Sequence, residues 1–276
     1  MNRAVGFRGF NDRSLLFFFV STLAIFFCWG RLGFITEGQQ LTYLLQSRQG
    51  VGIGEFVAFV ALFSLAWRLP DTEILRPSHL LAVALSSLFF LIPSFPALLV
   101  PVAVATLIFV RASNPILRSM GQVFLAVLFF EAIGPVIFLA VSPYVLNLET
   151  SIAAEVMSRF WEISRNGPTI EVVGGQNIYI GTGCSAFQNL SVAALIWVSL
   201  RKIESISPLL APDWLILAAM ALVTVILNTV RIVYMAHSKA DFDYWHVGNG
   251  SNHIALIMLT GMLGTFLIGR SIVARK

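Results

Sequence analysis

Apolar runs, most of them near the length that crosses a bilayer and the third and sixth shorter, recur along the whole chain and leave it few folds to choose from. They cover about residues 14–30, 51–67, 80–91, then onward to 110 past Pro93 and Pro96, 121–141, 185–200, 214–235 and 252–269. A spanning helix needs about 20 mostly apolar residues. Inside hydrocarbon the backbone must satisfy its own hydrogen bonds, which selects helix over open strand. Composition agrees: 57% of the 276 residues are hydrophobic and 12% are charged, against about 25% charged in a soluble domain. The expected fold is an all-α polytopic membrane protein of about eight transmembrane helices, forming one membrane domain over 1–276.

The only long water-compatible stretch is 142–183, with Glu149, Glu155, Arg159, Glu162, Arg165 and Glu171. Its second half, 169–180, alternates and is β-branched around Gly174-Gly175, so the expectation is a small β-hairpin-like insertion on the outer face. Orientation follows from the basic residues, which concentrate in cytoplasmic loops. With the N-terminus inside, the cytoplasmic side holds Arg3, Arg8, Arg13, Arg68, Arg76, Arg111, Arg118, Arg201, Lys202, Arg270, Arg275 and Lys276. Arg31, Arg48, Arg159, Arg165, Arg231 and Lys239 are left outside. Both termini are then cytoplasmic, and the catalytic part is expected at about 142–269. No basic patch with interleaved aromatics points to nucleic acid. Two cysteines make no disulfide framework.

This topology returns three chemically capable residues to the outer interface. Cys184, in Gly181-Thr182-Gly183-Cys184-Ser185-Ala186-Phe187-Gln188-Asn189, opens the sixth run. A helix N-terminus carries partial positive charge and unpaired N–H groups, which favour a thiolate. Arg231 lies near the outer end of the seventh run, with Asn228 and Tyr234 three residues to either side on the same helical face. His246 precedes the eighth run, with His253 inside that run as an alternative base. Gln188, Asn228 and Ser185 are candidates for orienting a substrate.

Each residue also has a plainer reading. Arg231 snorkels or pairs with an acid. His246 is an interfacial histidine beside Tyr244 and Trp245. Cys184 is a small apolar filler, or is bridged to Cys28. A zinc site built from His237, His246 and His253 lacks a familiar ligand spacing, so no metal and no cofactor are assigned.

A Cys184-Ser185-Ala186 motif opening a span, Asn228-x-x-Arg231 late in the next and an outer His246 before the last resemble the exosortase/archaeosortase family. The strand-like Gly-Gly-Gln-Asn-Ile-Tyr-Ile segment and the span layout are also similar. The likeness is strongest over 142–269. The family's usual Cys-Ser-Gly is Cys184-Ser185-Ala186 here, and the segment between hairpin and cysteine is shorter, which suggests a divergent branch. The resemblance implies a multi-pass cysteine peptidase or transpeptidase of the bacterial inner membrane, with its active site on the periplasmic face. Cys184 would be the nucleophile, Arg231 the oxyanion or substrate stabiliser and His246 the acid/base. It implies membrane-anchored protein substrates bearing a C-terminal sorting signal of short motif, membrane helix and basic cluster. It also implies transfer to a lipid or glycan acceptor. The competing readings are a transporter and an accessory component of polysaccharide export, neither with covalent chemistry.

Overall fold

A computed structural model of the chain describes residues 12–32, 52–70, 75–92 and 95–274. The topology markers Arg3, Arg8, Arg48, Arg275 and Lys276, and Pro93, lie outside the described residues. The helices are α1 (Asp12–Leu32), α2 (Ile53–Trp67), α3 (Pro77–Ser87), α4 (Phe95–Phe109), α5 (Pro115–Leu128), α6 (Gly134–Met157), α7 (Ala186–Glu204), α8 (Ala211–His237), α9 (Lys239–His246) and α10 (Asn249–Ala274). Three strands lie between α6 and α7: β1 (Ile163–Asn166), β2 (Thr169–Val172) and β3 (Ile178–Tyr179).

Among the described residues, three helical runs are long and apolar enough to cross a membrane. They are Pro115–Met157, which joins α5 to α6 through a π-helical turn at Phe129–Ile133, then Ala211–His237 and Asn249–Ala274. The apolar stretches Arg13–Phe27, Ile53–Trp67, Leu81–Leu91 and Pro96–Phe109 are helical but shorter.

Where the sequence reads as one membrane domain, the contacts divide the chain into two compact units. The first contains α1 to α5 and Val198–Ser207. Its helices meet through aromatic side chains: Phe19 and Phe109 both pack on Phe124, with ring centroids 6.1 and 6.2 Å away. Asn114 starts α5 by accepting from the Ile116 and Leu117 amides at 2.7 and 3.3 Å, which satisfies donors that have no partner within the helix. Gly121 lets α5 run against the end of α4. A Cβ there would come within 2.3 Å of the Val110 nitrogen, the kind of close approach that small residues permit between membrane helices.

The second unit contains α6, the sheet, the N-terminal part of α7, and α8 to α10. The sheet is antiparallel in the order β1-β2-β3. Gly167, between β1 and β2, has φ +57°, and Gly174, between β2 and β3, has φ +76°, conformations glycine adopts without steric cost. Because side chains alternate along a strand, Ile170, Val172, Ile178 and Ile180 all turn to one side. There they form a core with Ala153 and Met157 of α6, Ile232, Met235 and Ala236 of α8, and Cys184. Burying each aliphatic side chain contributes about 1.5–3 kcal/mol.

Two polar fastenings hold the sheet in place. The Gln176 amide donates to the Ala236 carbonyl at 2.9 Å, giving a partner to one of the open carbonyls at the end of α8. Arg165 of β1 reaches α6, donating to the Ser151 hydroxyl at 2.6 Å and to the Asn147 side chain and backbone carbonyls.

The sequence reading begins the insertion at residue 142, but α6 carries helix through to Met157. The polar residues that suggested a loop belong to the last turns of a helix whose exposed positions also include Tyr144, Leu148 and Ile152. Ser142, Thr150, Ala153 and Ala154 are buried in this stretch, while Asn147 and Glu155 are exposed. The segment that leaves helix begins at Ser158, and it contains β1, a polar edge strand that the alternation pattern did not flag.

Candidate active site

Every residue of the site lies in the second unit. The chain leaves β3, passes Gly181 and makes one 3-10 turn, Thr182–Cys184, before α7 starts at Ala186. The Cys184 amide donates to the Gly181 carbonyl at 3.0 Å and closes that turn. Cys184 is a free thiol, 6% exposed.

Two helices grip this turn from their own side chains. From α8, Asn228 is 2% exposed and donates its Nδ2 to the Cys184 carbonyl at 2.8 Å. Its Oδ1 is buried without a hydrogen-bond partner. From α6, one oxygen of Glu149 accepts from the Ser185 hydroxyl at 2.9 Å and from the Ala186 amide at 3.0 Å. The other oxygen is buried and unpartnered. The Ser185 hydroxyl also accepts from the Phe187 amide at 3.1 Å, so Ser185 and Glu149 together satisfy the first donors of α7.

Arg231 follows Asn228 by three residues on α8. Its Nε donates to the Trp245 carbonyl at 3.1 Å, and the rest of its guanidinium makes no hydrogen bond among the described residues. Trp245 belongs to α9, a short helix started by Ser238, whose hydroxyl accepts from the Asp241 amide at 3.1 Å. His246 ends that helix, half-buried and stacked on Phe242 at 4.9 Å.

The thiol is pushed above its ordinary range. Burial is the main cause, and the Glu149 carboxylate adds to it. The Arg231 cation and a hydrogen bond from the Gly181 backbone oppose the rise without cancelling it. The helix terminus therefore does not give a resting thiolate: the thiol is the resting form, because desolvation disfavours the charged species and a carboxyl group already occupies the first donors of α7.

His246 moves the other way. Burial first, then the Arg231 cation and Lys239, hold it below its ordinary value, while Asp243 pulls it up. The imidazole is thus neutral at pH 7 and able to accept a proton. A histidine whose folded pKa is depressed makes the folded state less stable as the pH falls below its unfolded value of about 6.5. The His246 ring signal, followed by NMR against pH, is expected to titrate below the free histidine value. In Arg231→Gln the midpoint moves up, because the repelling cation is gone.

Of the residues singled out from sequence, Cys184, Ser185, Asn228 and Arg231 come together, and Arg231 also acts on His246. Cys184 and His246 are not joined by a hydrogen bond. Gln188 is half-buried in the first turn of α7 and makes no hydrogen bond among the described residues. Tyr234 is exposed and packs on Trp245, the residue whose carbonyl Arg231 also reaches. His253 is exposed, with its Nδ1 2.9 Å from the Tyr244 hydroxyl, and His237 meets Asp241 at 2.6 Å.

Glu149 is the residue that the sequence reading passed over. It counted as one of several acids in a loop, and its contacts lie 36 and 37 residues along the chain. No signal in the sequence separates it from Glu155 on the same helix. No protein-family model, no curated protein and no solved structure matches this chain, so its chemistry is argued from this geometry.

Proposed function

We propose that the chain is a membrane-embedded cysteine peptidase or transpeptidase of the exosortase/archaeosortase kind. On this reading it crosses the bacterial inner membrane about eight times, with both termini in the cytoplasm. The sheet-bearing segment and the nucleophile face the periplasm. Cys184 attacks the carbonyl of a scissile peptide bond near the C-terminal anchor of an exported protein. The sulfur loses its proton, the S–C bond forms, the C–N bond breaks and the leaving amine takes up a proton. The free guanidinium N–H groups of Arg231 hold the oxygen that becomes negative. His246 serves as the acid/base group, and the thioester is resolved by an amine acceptor or by water.

The observation that carries this reading is the double engagement of one helix face with the nucleophile. Asn228 fixes the Cys184 carbonyl, and Arg231, one turn on, sets a cation beside the thiol. Neither filler packing nor snorkelling calls for a buried amide on that carbonyl. The anchored substrate reaches the thiol by diffusion in two dimensions, and the anchor supplies the proximity that favours attack.

The test is intact-mass analysis of membrane proteins from cells with and without the chain. A set of proteins should lose a C-terminal segment made of a short motif, a membrane helix and a basic cluster only when the chain is present. Identical C-termini in both samples would sink the proposal.

A further inference from the structure

Glu149 is acidic, grips the turn that bears Cys184 and has no part in the chemistry above. Its first oxygen takes both donors that follow the sulfur, the Ser185 hydroxyl at 2.9 Å and the Ala186 amide at 3.0 Å. Left open, such donors at the start of a helix lend their positive end to a neighbouring thiolate. A carboxylate bound to them cancels that help and adds a negative charge of its own. Its second oxygen is buried with no partner, so more of the carboxylate is enclosed than a cap requires, at a desolvation cost that ordinary packing would avoid.

We propose that Glu149 is a fourth member of the site, a positioning residue that clamps the Cys184–Ala186 turn to α6 and holds the sulfur as a neutral thiol at rest. This rests on the reading of Cys184 as the nucleophile, and it adds control of that nucleophile. The charged groups acting on the sulfur are Glu149 from α6 and Arg231 from α8, with opposite signs. From α9, His246 faces Arg231 and is neutral at pH 7. Burial prevails over Arg231 and the Gly181 backbone, and Glu149 adds the smallest of the four contributions, on the side of burial. A protonated sulfur is slow to oxidise or to exchange with disulfides, which suits a reactive cysteine facing an oxidising compartment.

The test uses the full chain in membranes and iodoacetamide as the probe, with the alkylation rate of Cys184 followed against pH. The pH midpoint reports the protonation of the sulfur, and the high-pH plateau reports its accessibility. Wild type should show a midpoint above the ordinary thiol value of about 8.5. In Glu149→Gln, which keeps an oxygen able to accept from Ser185 and Ala186, the midpoint should fall with the plateau unchanged, so alkylation at pH 7.5 rises. A raised plateau with an unmoved midpoint would make Glu149 a mechanical cap only and overturn the proposal, as would an unchanged profile. Should Glu149→Gln fail to accumulate, the wild-type profile still decides, because a midpoint at or below 8.5 overturns the proposal. Tail removal by a Cys184→Ala chain would defeat the nucleophile reading separately, since alkylation measures the sulfur without any substrate.

Discussion

On the proposed function, Cys184→Ala is expected to leave the chain in the membrane and to end removal of C-terminal tails. Two parts of the geometry make this a clean loss. Asn228 bonds the backbone carbonyl of residue 184 and Glu149 bonds residues 185 and 186, so the turn keeps its grips when the sulfur goes. The core around Ile170, Ile178, Ile180 and Ile232 loses one atom and keeps its shape. Removing the nucleophile of a covalent mechanism costs on the order of 10⁶-fold in turnover. The measurement is the intact mass of the processed proteins beside an immunoblot for the chain in the membrane fraction. Normal tails in the presence of Cys184→Ala would remove the thiol from the mechanism altogether.

Arg231→Gln is the second large effect. Removing one donor aimed at a developing oxyanion costs about 10²–10³ in rate, and the loss should fall on kcat more than on KM. The substitution also breaks the bond to the Trp245 carbonyl, so α9 should loosen, which hydrogen exchange over residues 238–246 would register. Arg231→Lys keeps the charge but loses the planar fork, and turnover between wild type and Arg231→Gln is expected. Equal turnover for Arg231→Gln and wild type would reduce Arg231 to a structural tie for α9.

Much of this site was legible because helical spacing places Asn228 and Arg231 on one face, whatever the rest of the fold does. The polarity of the 181–189 stretch likewise marked a turn opening an apolar helix. The alternation over 169–180 marked the strands that pack inward, Ile170, Val172 and Ile178 among them. What stayed hidden depended on contacts between distant segments. Nothing local distinguishes Glu149 from Glu155, yet the first binds the nucleophile's turn and the second pairs with Arg159 at the surface. The thiol's resting state was misjudged for the same reason. The helix terminus is visible in sequence, but the carboxylate that covers it comes from α6, and burial depends on the packed core. β1 escaped because Ser164, Arg165 and Asn166 are exposed, so no alternation marks it.

One turn of α6 grips two things at once. Asn147 and Ser151 hold Arg165 of the sheet. Glu149 points roughly the opposite way, by the 100° step of a helix, and holds the turn that bears the sulfur. That turn works as a caliper. If α6 slides or tilts along its axis, as a bilayer of different thickness would make it do, sheet and sulfur ride together and their spacing is preserved. Only the height of the sulfur in the bilayer changes, and on the proposed function lipid composition would then set where an anchored polypeptide is cut.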